Sequence, residues 1–186
     1  MKLYVFAHLL GVIAIVIGWV TIIISISLHP WFSLYDNALS DLGAIWVSSN
    51  SVFNVGIMVA SLFALAYGCN LTLKLKRPLS RVGGAFFCLS SIFLMLVALF
   101  PEGTKPHYAV SVAFFLLLIL SMIIISISTL MLNRSWGLAQ LSLGLIALIF
   151  AFLPWPSVGM LEVSILSAAT IWLIIFALSA LKGITR

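Results

Sequence analysis

The chain has 186 residues, 64% of them hydrophobic and only 7% charged, with nine Lys and Arg against four Asp and Glu for a net charge of +5. A mean hydropathy of +1.31 excludes both a soluble domain and a disordered segment, since each needs far more polar surface than this chain can supply. The composition is that of an all-α polytopic membrane protein, and the basic excess needs no nucleic-acid partner: its distribution along the chain explains it through orientation during insertion.

In chain order the apolar runs cover residues 3–28, 50–73, 82–100, 108–132, 137–153 and 159–181. Each is expected to cross about 30 Å of hydrocarbon at about 1.5 Å per residue, giving a six-helix transmembrane bundle as one integral membrane domain over residues 1–186. The first run lies behind Met1 and Lys2 like a signal peptide, but it is too long and no small-x-small cleavage site follows, so it is expected to remain as the first helix. Lys2, Lys74, Lys76, Arg77, Arg81, Arg134, Lys182 and Arg186 all fall on one side of this topology, and only Lys105 on the other. The positive-inside bias then places both termini in the cytoplasm of a prokaryotic cell and the loop 29–49 outside. Cys69 and Cys88 lie within the second and third runs as packing residues, with neither disulfide nor zinc spacing. Gly11, Gly18 and Ser25 recur at seven-residue steps in the first run, as do Asn54, Ser61 and Gly68 in the second. Such small residues let helices approach closely in lipid, so these stripes are expected to face other helices.

All four acids group on the external side: Asp36 and Asp41 in the first external loop, Glu102 in the second, and Glu162 within about a turn of the outer end of the last run. His29 and His107 join them, while His8 lies near the cytoplasmic side. The stretch SLHPWFSLYDNALSDLGA, residues 27–44, carries a capping-box pattern from Ser33 to Asp36 and a Gly43 suited to a left-handed helix end. It is therefore expected to form a short interfacial helix near residues 36–42. The 100° step puts Asp36, Asn37, Ser40 and Asp41 on one face and Leu39 and Leu42 on the other, with Trp31, Phe32 and Trp46 at interface depth to hold the helix along the membrane surface.

Glu162 on a transmembrane helix is costly to bury, so it is expected either to pair with Lys105 or be solvated at the interface, or to serve a ligand, a proton or a metal. Asn54, a turn or so below the outer end of the second span, is placed to join the same polar pocket. His107 follows Pro106 at the start of the fourth span. Together His29, Asp41 and His107 supply nitrogen and oxygen donors of the kind a divalent metal takes, although no H-x-x-x-H or H-E-x-x-H spacing accompanies them.

LYDNALSDLGA, followed by NSVFNVG and by ALFPEGTKPH, resembles a family of small prokaryotic six-span membrane proteins known as domain of unknown function nine-nine-eight. The likeness extends to about residue 115, the last third being less distinctive. It implies emphasis on Asn37, Ser40, Asp41, Gly43, Phe53, Asn54, Pro101, Glu102 and His107, and it names no activity.

Three functions compete. The first is a binding or accessory protein with an outward-facing polar pocket for a lipid headgroup or small solute, built from Asn37, Ser40, Asp41, Asn54, Glu102, His107 and Glu162. Its partners would be membrane lipids, a second copy or a larger membrane complex. The second is an external metal-dependent lipid hydrolase with His29, Asp41 and His107 as ligands and Glu102 or Glu162 as base. The third is a proton-coupled carrier using Glu162, against which stands the lack of charge at the midplane. Sequence alone leaves open whether the chain is an enzyme.

Overall fold

Proline and capping residues divide the hydrophobic sequence into six α-helices in the computed structural model, which describes residues 2–184. They are α1 (Lys2–Leu28), α2 (Asn50–Lys74), α3 (Pro78–Leu99), α4 (His107–Leu130), α5 (Arg134–Phe150) and α6 (Val158–Leu181). Pro30 follows the end of α1, Pro78 occupies the first turn of α3, and Pro101 follows α3, each where a missing backbone N–H costs least. Asn133 and Ser157 cap α5 and α6, their side chains accepting from Trp136 N–H at 3.3 Å and Met160 N–H at 3.0 Å.

The bundle runs up and down, with sequence neighbours packed against each other and α6 also touching α1 and α4. One end carries all four acids and Lys105; the other carries Lys74, Lys76, Arg77, Arg81, Arg134 and Lys182. The expected cytoplasmic positions Met1 and Arg186 lie outside the described residues. Large apolar side chains such as Ile23, Val55 and Leu73 are exposed along the outer faces of the helices, as hydrocarbon surroundings require. Five helices are long and apolar enough to cross a membrane. The exception is α5: the expected span 137–153 begins earlier, at Arg134, but its helix stops at Phe150, and its 17 residues give roughly 25 Å, short of the ~30 Å core.

The small-residue stripes do face the interior. Gly11, Ser25, Ser61 and Gly68 are buried and Gly18 borders an internal cavity. α2 and α3 pack closely: a Cβ on Gly84 would come within 2.7 Å of the Thr72 backbone nitrogen and one on Gly68 within 2.9 Å of that of Cys88. Tyr67, Phe87, Met122, Trp172 and Phe176 form the main core between α2, α3, α4 and α6, and Trp172 donates through Nε1 to Ser126 Oγ at 2.9 Å.

The loop between α1 and α2 departs from expectation. In place of an α-helix over 36–42 there is a single 3-10 turn, Leu39–Gly43. The Ser33 to Asp36 capping box is replaced by Asn37 Oδ1 accepting from Ser33 N–H at 2.9 Å, while Asp41 Oδ2 accepts from Ala38 N–H at 2.9 Å. Gly43 is not left-handed. It is small because Phe53 and Asn54 lie against it: a Cβ there would fall 2.7 Å from Phe53 Cδ1. Leu39 and Leu42 do not lie on a membrane surface but point into the bundle, buried with Ile22, Phe53, Ile57 and Ala98. The apolar face expected for Leu39 and Leu42 found a protein interior in place of lipid, and Ser40, expected on the polar face, is buried as well.

Candidate functional site

The acidic end of the bundle is closed by this loop, held through main-chain groups that a sequence does not advertise. Asn54 Nδ2 donates to Gly43 O at 2.9 Å and Asn50 Nδ2 to Ala44 O at 3.0 Å, fastening the turn to α2. Gly159 N–H donates to Asn37 O at 3.1 Å and Ser157 Oγ to Leu34 O at 2.5 Å, fastening it to α6. Ile45 N–H donates to Glu102 O at 3.0 Å, which joins the loop to the α3–α4 turn.

Glu162 is the deepest of the four acids, only 8% exposed. Its Oε2 accepts from Leu39 N–H at 2.6 Å. The expected pairing with Lys105 is not made: Lys105 is exposed, and the ion pair found among the described residues joins His107 to Glu102. Oε1 of Glu162 has no hydrogen-bond partner among the described residues, and Glu102 and Asp41 are near enough to repel its charge.

His107 is held at both ring nitrogens. Nδ1 lies 2.7 Å from Phe100 O, and because a carbonyl only accepts, Nδ1 carries the proton. Nε2 lies 3.1 Å from Glu102 Oε2 and 3.2 Å from Ser111 Oγ. His107 and Glu102 thus make a latch across the α3–α4 turn. Ser40 Oγ approaches Glu102 Oε2 at 3.5 Å and extends the latch to the loop.

His29 is buried elsewhere. Its Nδ1 donates to Ser25 O at 2.6 Å, leaving Nε2 to accept from Ser49 Oγ at 2.8 Å. The set His29, Asp41 and His107 is therefore not assembled: each imidazole is committed to its own neighbours, Asp41 closes its own turn, and no group of three His, Cys, Asp or Glu side chains among the described residues is arranged to hold a metal. Asp41 likewise makes no hydrogen bond to Asn54 or to His107; the links run through its neighbours Gly43 and Ser40. Asp36 is exposed.

Beneath the loop lies a cavity of about 170 Å³. Glu162, Ser40 and Ser111 border it toward the acidic end. Below them the walls are apolar and aromatic, including Ile57, Phe87, Phe114 and Trp172. The hydroxyls deeper down are already used within the protein: Ser90 donates to Phe114 O at 3.1 Å, Ser91 to Phe87 O at 2.8 Å, and Thr170 to Leu166 O at 2.8 Å while accepting from Trp19 Nε1 at 3.0 Å. On α1 the lining runs from Gly11 to Ile22 and on α6 from Glu162 to Leu173. At about 1.5 Å per residue each is roughly 16 Å, about half of a ~30 Å hydrocarbon core. At the far end His8 Nδ1 meets the Tyr67 hydroxyl at 3.1 Å, with the His8 ring edge-on to Phe176.

Of the pocket residues expected from sequence, Ser40 and Glu162 border the cavity, Glu102 and His107 latch its rim, and Asn37 and Asn54 hold the loop over it. The sequence reading missed Ser111, one helical turn after His107, and Ser157, whose position after Pro154 and Pro156 marks it as a cap; both follow from spacing alone. The cavity itself, with Trp19 and Trp172 in its wall, has no local signature because five helices contribute to it.

No curated protein and no solved structure matches this chain. A family model does match, over residues 12–179, so the likeness extends well past residue 115 and through α5 and most of α6. The chain is a multi-pass membrane protein that belongs to the family described as protein of unknown function DUF998.

Proposed function

We propose that the protein binds a single-chain amphiphile, its tail in the bundle cavity and its polar group beside Glu162, Ser40 and Ser111. The observation that carries this reading is the division of the cavity into an apolar shaft and one polar end. A shaft about half as long as the ~30 Å hydrocarbon core suits one leaflet's tail, and a void lined by aliphatic and aromatic groups stays dry unless an apolar ligand fills it. In this reading all six helices cross a prokaryotic cell membrane, α5 included, its short length met by local thinning or by its flanking residues. The acidic end is outside and both termini are cytoplasmic, by the distribution of Lys and Arg.

Gly18 supplies the test, since a Cβ built there meets nothing within 4 Å. Gly18→Leu extends into the shaft from a Cβ that meets no neighbour. The expected result is that a long-chain alcohol brominated at its tail end quenches Trp172 fluorescence in the parent protein and much less in Gly18→Leu. Equal quenching in the two proteins would mean that the cavity is not the binding site.

A further inference from the structure

Glu162 is 8% exposed, lies against the cavity and uses only one carboxylate oxygen within the protein, on Leu39 N–H. Apart from His107, which is paired with Glu102, the titratable side chains around it are acids. Asp41 and Glu102 repel Glu162, the lining contains no Lys or Arg, Lys105 is exposed, and His107 is committed to Glu102 and Phe100. A buried carboxylate without a counter-cation is costly, and one backbone N–H offsets only part of that cost. A phosphate or carboxylate placed beside it would meet three acids, the one nearby imidazole being already held by Glu102 and Phe100 O. A protonated amine would supply the missing charge and donate to the free Oε1 by a charge-assisted hydrogen bond. Resting on the amphiphile reading above and narrowing it, we infer that the ligand is a single-chain amphiphile whose head group is a cationic amine, bound through Glu162 Oε1.

The experiment compares three probes of equal chain length, dodecylamine, dodecanol and dodecyl phosphate, binding to the purified full chain followed by native mass spectrometry near neutral pH, where an alkylamine is protonated. The expected order is amine first, tighter than the alcohol by about tenfold or more, with the phosphate weakest. In Glu162→Gln the amide oxygen still accepts from Leu39, so the fold is retained, and the advantage of the amine over the alcohol, read as a ratio within that variant, disappears. Phosphate or alcohol binding as tightly as the amine overturns the inference and leaves the amphiphile reading standing, as does an amine preference that survives Glu162→Gln. Failure of all three probes to bind overturns both.

Discussion

Leu39 N–H donates to Glu162 Oε2 at 2.6 Å, joining the first long loop to the second turn of a helix 123 residues later. The contact satisfies a buried N-terminal donor of the 3-10 turn with an acid that hydrocarbon surroundings would otherwise penalise. Glu162→Ala removes the acceptor and is expected to destabilise the fold by about 1–3 kcal/mol, the cost of a buried unsatisfied N–H. Glu162→Gln keeps an acceptor and is expected to stay within about 0.5 kcal/mol of the parent, as most benign substitutions do. Unfolding midpoints in detergent decide this, and indistinguishable midpoints for Ala and Gln would show that the carboxylate does not hold the loop.

A second prediction contrasts two glycines. Gly43 lies against Phe53 and Asn54, whereas Gly18 faces open space. Gly43→Ala is expected to cost about 1–3 kcal/mol by overpacking, because lifting the turn also stretches the bond from Asn54 to Gly43 O. Gly18→Ala should be neutral or stabilising by up to about 1 kcal/mol, the gain in helix propensity. The reverse order of stabilities would contradict the packing described for the loop.

Helices were legible in the sequence because each is a long apolar run bounded by Pro, Asn, Ser, Gly or basic residues, and those signals are local. The inward-facing stripes of α1 and α2 were legible for the same reason: seven-residue spacing of small side chains is a property of one helix. The α5 boundary was not, since Ala151, Phe152 and Leu153 are as apolar as the helix they follow. Glu162, His107 and Asn54 stood out in the sequence, but these partners could not be read, because Leu39 N–H, Phe100 O and Gly43 O are backbone groups that any residue would supply. The capping-box and left-handed readings of the loop failed through competition: burial of Leu39 and Leu42 set the turn, and local preference yielded to it.

The close packing of α2 on α3 makes a third prediction. Cys69 Sγ and Cys88 Sγ lie 3.7 Å apart across that pair. A disulfide needs about 2.05 Å, a distance that side-chain rotation can close while helices this near stay in place. Mild oxidation with copper phenanthroline is expected to join the two within one chain, lowering the mass by about two hydrogens and blocking both thiols. Free thiols after oxidation, or cross-linking only between chains, would show that the helices do not meet at these residues.

The fourth prediction concerns orientation, on which the sidedness of the cavity depends. Ser48 is exposed at the acidic end and Lys76 at the basic end, whereas Ser80 is buried and hydrogen-bonded to Ser128 at 2.6 Å and so makes a poor probe. In a background with Cys69 and Cys88 replaced by Ala, Ser48→Cys in intact cells should react with a membrane-impermeant maleimide, and Lys76→Cys should react only after permeabilisation. Six basic positions on α2–α3, α4–α5 and the end of α6 favour this orientation over the reverse, since Lys and Arg in short loops are retained on the cytoplasmic side. Reaction of Lys76→Cys in preference to Ser48→Cys would invert the bundle: the Glu162 end of the cavity would then draw its amphiphile from the inner leaflet, and the external assignment of the acidic loop would be wrong.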